Sequence, residues 1–109
     1  MQEIDPNKAI NAIITMAPEF SKAKANRVFL EELRKSKKAT LMKNCGETVL
    51  GKQETYAYSH PEYLELLDDI YKAVEEEERL RLMIAAAQAR IEIYKVNQYT
   101  ARAEMKAFG

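Results

Sequence analysis

From Pro61 to Phe108 the chain repeats its apolar positions at alternating steps of four and three. The series is Leu66, Ile70, Ala73, Glu77, Leu80, Ile84, Ala87, Ile91, Tyr94, Gln98, Ala101, Met105 and Phe108. Eleven of these thirteen positions are apolar, which predicts one long helix with a coiled-coil-like seam and no strand. At 1.5 Å per residue such a helix is roughly 70 Å long, against about 26 Å for twice the radius of gyration of a compact chain of this size. On that comparison the rest of the chain cannot cover the helix and a partner, most simply another copy, must. The expected oligomer interface is Leu80, Ile84, Ala87, Ile91, Tyr94, Gln98, Ala101 and Met105. Glu77 and Gln98 interrupt the seam, and polar residues at such positions set register or oligomer number.

Upstream, Asp5-Pro6 is a cap followed by a first-turn proline, which predicts a helix over 6–17 with Ile10, Ile13, Ile14 and Ala17 on one side. Pro18 either kinks a continuous helix or restarts one. A restart is favoured, because Glu19 then falls in a first turn. The second helix, 18–43, places Ala23, Ala25, Asn26, Phe29, Leu30, Leu33 and Leu41 on one side. Lys24, Arg27, Arg34, Lys35 and Lys38 fall opposite, within an arc of roughly 100°. Glu31 lies inside that arc and can pair with Arg27 or Lys35. Asn44-Cys45-Gly46 stops the helix, with Gly46 or Asn44 suited to the left-handed turn. In the connector 44–60, Thr48 to Leu50 is expected to be briefly extended, Gly51 to interrupt it, and Gln53 to Tyr58 to form a turn or two of helix. Ser59 and Glu62 read as a capping box, with Pro61 in the first turn. The expected fold is a single all-α domain, 1–109. A broken N-terminal helix pair packs on one long C-terminal helix, and copies associate into a helical bundle.

Charge changes this picture. The chain has 17 Lys or Arg and 17 Asp or Glu, yet the signs are segregated. From Lys22 to Lys43 there are eight basic residues against two acidic ones; from Glu62 to Glu78 there are eight acidic residues against one basic. Two readings follow. The basic stripe can pair with the acidic stretch in an antiparallel hairpin, which composition favours. Alternatively, because it lies opposite the apolar side of its own helix, it stays outside and meets successive phosphates. Tyr56 and Tyr58, and with them Tyr63, then offer ring faces to unpaired bases, although tyrosines are more often core or interface residues.

Catalytic chemistry is not indicated. Cys45 and His60 each occur once, which rules out an intrachain disulfide and a cysteine zinc cage. There is no Gly-rich phosphate loop or nucleophile elbow. Asp68, Asp69 and Glu75 to Glu78 follow one another around a helix, so they read as a solvated face rather than a metal site. His60 reads as a helix-start residue and Cys45 as an incidental thiol. No cofactor is implied. No apolar run approaches the ~20 residues of a membrane span and no signal-peptide pattern stands at the start, so the expected location is a soluble, reducing cytoplasm.

Three stretches resemble a family of small bacteriophage proteins: AKANRVFLEELRKSKKATLM (Ala23 to Met42), YAYSHPEYLELL (Tyr56 to Leu67) and EEEERLRLMIAAAQARIEIY (Glu75 to Tyr94). The resemblance covers about three quarters of the chain and implies a product of phage replication or recombination genes, acting in the bacterial host cytoplasm. A weaker likeness, in Ala25-Asn26-Arg27-Val28, the following basic run and the closing Met105-Lys106-Ala107-Phe108, is to the UvsY recombination mediators. Those proteins form rings and help load a recombinase on single-stranded DNA. This chain is shorter and its connector lacks much of what that family inserts. Of DNA-contacting positions, the resemblance carries over Arg34, Lys35, Lys37 and Lys38.

Two functional expectations follow. The first is a non-enzymatic, oligomeric accessory protein that binds single-stranded DNA through Lys24, Arg27, Arg34, Lys35, Lys37, Lys38, Tyr56 and Tyr58, with a phage or host recombination or replication protein as a further partner. The second is a protein–protein adaptor or inhibitor that acts on a host or phage enzyme through the wide apolar surface around Leu80 to Ile91. A purely structural assembly scaffold also fits the rod but gives no reason for the basic stripe.

Overall fold

The computed structural model describes residues 3–108 and is all-helical over them. Helix α1 spans Pro6–Asn44, α2 spans Leu50–Ser59 and α3 spans Pro61–Phe108. Asp5 caps α1 as its sequence suggests: its Oδ1 accepts from the backbone N–H of Asn7 at 2.9 Å and of Lys8 at 3.4 Å.

The expected break at Pro18 does not occur, and α1 is one helix of 39 residues with Pro18 inside it. A proline removes one helical hydrogen bond and crowds the preceding turn, at a cost of about 3 kcal/mol. The residues around it explain why the helix continues. Ala9 is buried and Met16 and Phe20 are half-buried, followed at the same three-and-four spacing by half-buried Ala23, Arg27 and Leu30. A restart at Pro18 would throw these off one face.

The unbroken α1 also corrects the argument from length. At 39 residues it runs roughly 58 Å, enough to cover most of α3 from within the chain. The described residues form two compact units, Ser21–Glu78 and a second made of α1 up to Phe20 with α3 from Arg79. In the first, Tyr63, Leu66, Ile70 and Ala73 of α3 are buried; in the second, Leu80 and Ala87 are buried and Ile84, Ile91 and Tyr94 half-buried. The predicted seam is therefore the surface on which the chain closes on itself. Leu80, Ile84, Ala87, Ile91 and Tyr94 serve the fold of one molecule, while Gln98, Ala101 and Met105 are exposed.

The connector holds more helix than expected. Among the described residues Gly46 alone takes the left-handed conformation, at φ 77°. Val49 is extended, and α2 then begins at Leu50 and runs through Gly51, which does not interrupt it. Ala57 is fully buried between Leu41 and Tyr63, with Met42 and Leu67 packed against this small core. The capping box is not formed. Ser59 Oγ instead donates back to the Thr55 carbonyl at 2.7 Å, and His60 Nδ1 accepts from the Glu62 N–H at 3.1 Å. The imidazole does the capping because Ser59 still belongs to α2.

Candidate interaction surfaces

The orientation of α1 in the unit Ser21–Glu78 is nearly the reverse of the expected one. Of the residues expected to face inward, only Leu41 is buried and only Ala23 and Leu30 half-buried. Ala25, Asn26, Phe29 and Leu33 are exposed, Phe29 at 62%. The half-buried side instead carries Arg27, Glu31, Arg34, Lys37 and Lys38. An inward face that repeats every 3.5 residues drifts by about 20° per heptad from a straight 3.6-residue projection. The series Phe20, Ala23, Arg27, Leu30, Arg34, Lys37 and Leu41 keeps to that repeat, whereas Phe29 and Leu33 do not. Long basic side chains tolerate the position, since their stems cover apolar surface while the charged heads reach its edge.

Those heads find acids. Arg27 donates through Nε and Nη2 to the Glu77 carboxylate, the Nη2 bond measuring 3.2 Å, and through Nη1 to Glu31 at 3.0 Å. Glu77 first and Glu31 second hold its guanidinium above the ordinary arginine value. With side-chain exposures of 24% and 15%, Arg27 and Glu77 form a well-shielded ion pair. Glu77, expected to set register between copies, is thus occupied within its own chain. Lys37 Nζ donates to Glu62 at 3.4 Å. Lys38 Nζ lies 4.7 Å from the centroid of the Tyr58 ring, and this tyrosine raises the lysine pKa above its ordinary value. The Tyr58 ring meets Tyr63 edge-on at 5.4 Å, and Tyr56 lies 5.5 Å from His60. Lys35 pairs with Glu32, not Glu31, at the surface.

Of the residues expected to bind nucleic acid, then, Arg27, Lys37, Lys38 and Tyr58 make contacts within the molecule, although Tyr58 stays exposed. Lys24 and Lys35 are exposed and Arg34 is half-buried. Tyr63 is buried, which excludes it as a base platform. The unit Ser21–Glu78 contains ten basic and twelve acidic residues, so its basic stripe sits in a slightly negative body. Cys45 donates its thiol hydrogen to the Met42 carbonyl at 3.0 Å, a local contact at the end of α1. Among the described residues no group of three or more His, Cys, Asp or Glu could hold a metal ion, and no helix is long and apolar enough to cross a membrane.

A second seam lies on α3, and it was not anticipated. Leu82, Ala86, Ala89, Ile93, Val96, Thr100, Ala103 and Ala107 recur at steps of four and three, as the buried seam does, and every one is exposed. Flanking them, Arg90, Glu92, Glu104 and Lys106 are exposed as well. The signal is present in the sequence: the nearly all-round apolar run from Leu80 to Ile91 holds the first three positions of this series, Leu82, Ala86 and Ala89, alongside the series continuous with Leu66 and Ile70. An open cleft of roughly 210 Å³ lies nearby on α3, lined by Tyr94, Lys95, Gln98, Tyr99 and Arg102. No family model matches the chain, and no curated protein or solved structure matches it.

Proposed function

We propose that this chain is a non-enzymatic helical adaptor that works by docking protein partners on the outward face of α3. One observation carries the reading: from Leu82 to Ala107 a series that is apolar at every position but Thr100 is exposed, although as far as Tyr94 the opposite side of the same helix is already buried or half-buried. A helix that is apolar on two sides needs cover on two sides. This keeps the adaptor expectation of the wide apolar surface around Leu80 to Ile91 but moves it to the side of the helix that faces away from the buried seam. The test is to exchange Ile93 and Val96 for Glu. Both are exposed, so helix content by circular dichroism should not change. In nuclease-treated extract of producing cells, the tagged chain should run in an assembly larger than its 12.5 kDa and the variant as a monomer. A wild-type chain that runs as a monomer in extract overturns the reading.

A second reading, binding of single-stranded DNA in phage recombination or replication, is favoured by Lys24 and Lys35, which stand exposed with Arg34 beside them. Lys24 and Lys35 lie outside the inward-facing repeat of α1, so Lys24→Glu with Lys35→Glu is a clean probe. Binding to a labelled oligonucleotide should weaken steeply between 50 and 200 mM salt and fall further in the variant. Unchanged binding would assign the contact elsewhere.

A further inference from the structure

The structure assigns the outward face of α3 to a second copy of the same chain, packed antiparallel over residues 89–107. This rests on the adaptor reading above and names its partner. The argument is one of register. In an antiparallel helix pair the seam residues meet in layers, and the residues on either flank meet their own kind across the interface. Centred on residue 98, the layers are Ala89 on Ala107, Ile93 on Ala103 and Val96 on Thr100, each occurring twice about the two-fold axis. The same register sets Arg90 against Glu104 and Glu92 against Lys106, again twice each. Four opposite-charge contacts result, and none is like-charged. Arg90, Glu104 and Lys106 make no ion pair within the described chain, whereas Glu92 holds Lys95 at 3.2 Å.

The alternatives are worse. One heptad towards the N-terminus of α3 the flanks pair Arg90 with Asn97 and Glu92 with Tyr99; two heptads towards it, Arg90 faces Arg90 and Glu92 faces Glu92. A parallel pair offers no opposite charges, setting Glu92 against Asn97 and Tyr99 against Glu104. The other uncovered surface, the end of the buried seam at Gln98, Ala101, Met105 and Phe108, is apolar too. Pairing it with itself brings Arg102 onto Arg102 and Glu104 onto Glu104 in one register, and Lys95 onto Arg102 in the next. Charge thus selects the outward face, the antiparallel sense and one register.

The overlap is about 28 Å of helix, a small interface, so association should appear as a concentration-dependent equilibrium. The test is sedimentation equilibrium of the purified chain. A dimer of twice 12.5 kDa is expected. Arg90→Glu and Glu104→Arg should each weaken it by roughly tenfold or more, since two attractions become two repulsions, and the double variant should restore it. Arg90 also borders a cleft with Glu3 and Asp5, but restoration by Glu104→Arg cannot arise there, because Glu104 is not in its lining. Independently, in a Cys45→Ser background, a mixture of Val96→Cys and Thr100→Cys chains should cross-link faster than either alone. A purified chain that stays monomeric at every concentration overturns this inference; if the chain in extract is nevertheless larger than a monomer, the adaptor reading stands with a different partner. A dimer indifferent to both reversals, or not restored by combining them, overturns the assigned face.

Discussion

Arg27 donates to two glutamates at once, on a helix face that the apolar residues of α1 would have been expected to occupy. Because its pKa is raised, its contribution is complete below the ordinary arginine value and is lost only above the raised one, so base does not switch it off. Lys38 and Lys72 are likewise held above the ordinary lysine value, by Tyr58 and by Asp68. Their contributions are complete below the lysine range and fade as pH rises through the raised values. Thermal stability should therefore be level between about pH 8 and 9.5 and fall above about 10.5; a decline already present at pH 9 would contradict the assignment. Arg27→Glu should lower the melting temperature and Glu77→Arg in the same chain should recover part of it, an effect read by a double-mutant cycle. Two leucines test the orientation of α3. Leu80 is buried, so Leu80→Ala should cost about 2–5 kcal/mol by denaturant titration. Leu82, two residues on, is exposed, and Leu82→Ala should stay within about 0.5 kcal/mol.

At the scale of elements, α1 carries its own test. Pro18 is tolerated inside it and contributes nothing that alanine would lose, so Pro18→Ala should raise stability by about 1–3 kcal/mol in a thermal melt. A loss would mean that the proline shapes the contact with α3. The same residue shows where sequence reasoning stops. A proline followed by Glu19 reads locally as a helix start, and only the spacing from Ala9 through Phe20 to Leu30 reveals the continuation. Helix α3 is legible from end to end, because Pro61 marks its start and the four-and-three spacing of its seam never breaks. What the seam meets was not legible, since a repeat of apolar residues is the same whether α1 or another molecule lies against it. The facing of α1 was misread for a related reason: Phe29 and Leu33 are more apolar than Arg27 and Lys37, but the latter pair fits the partner helix and its acids. His60 was rightly placed at a helix start, although its capping nitrogen displaced the Ser59 box.

For the molecule as a whole, a neutral total conceals a local imbalance, with two more acids than bases in Ser21–Glu78 and the opposite excess elsewhere. Residues from Lys95 to Phe108 are exposed throughout, Phe108 at 91%. A chain ending at Asn97 should consequently keep its unfolding free energy within about 1 kcal/mol while losing self-association, measured by denaturant titration and sedimentation on the same sample. Equal losses in both would show that the end of α3 supports the fold. The pairing of Arg27 with Glu77 has a last consequence. Two helices joined by a strictly seven-residue repeat have several nearly degenerate alignments, because translation by seven brings like upon like. Here such a slide would bring Ile70 or Ile84 before Arg27 and leave its charge with Glu31 but without Glu77. A single ion pair, weak as a fastener, thus acts as a key that admits one alignment and penalises its neighbours.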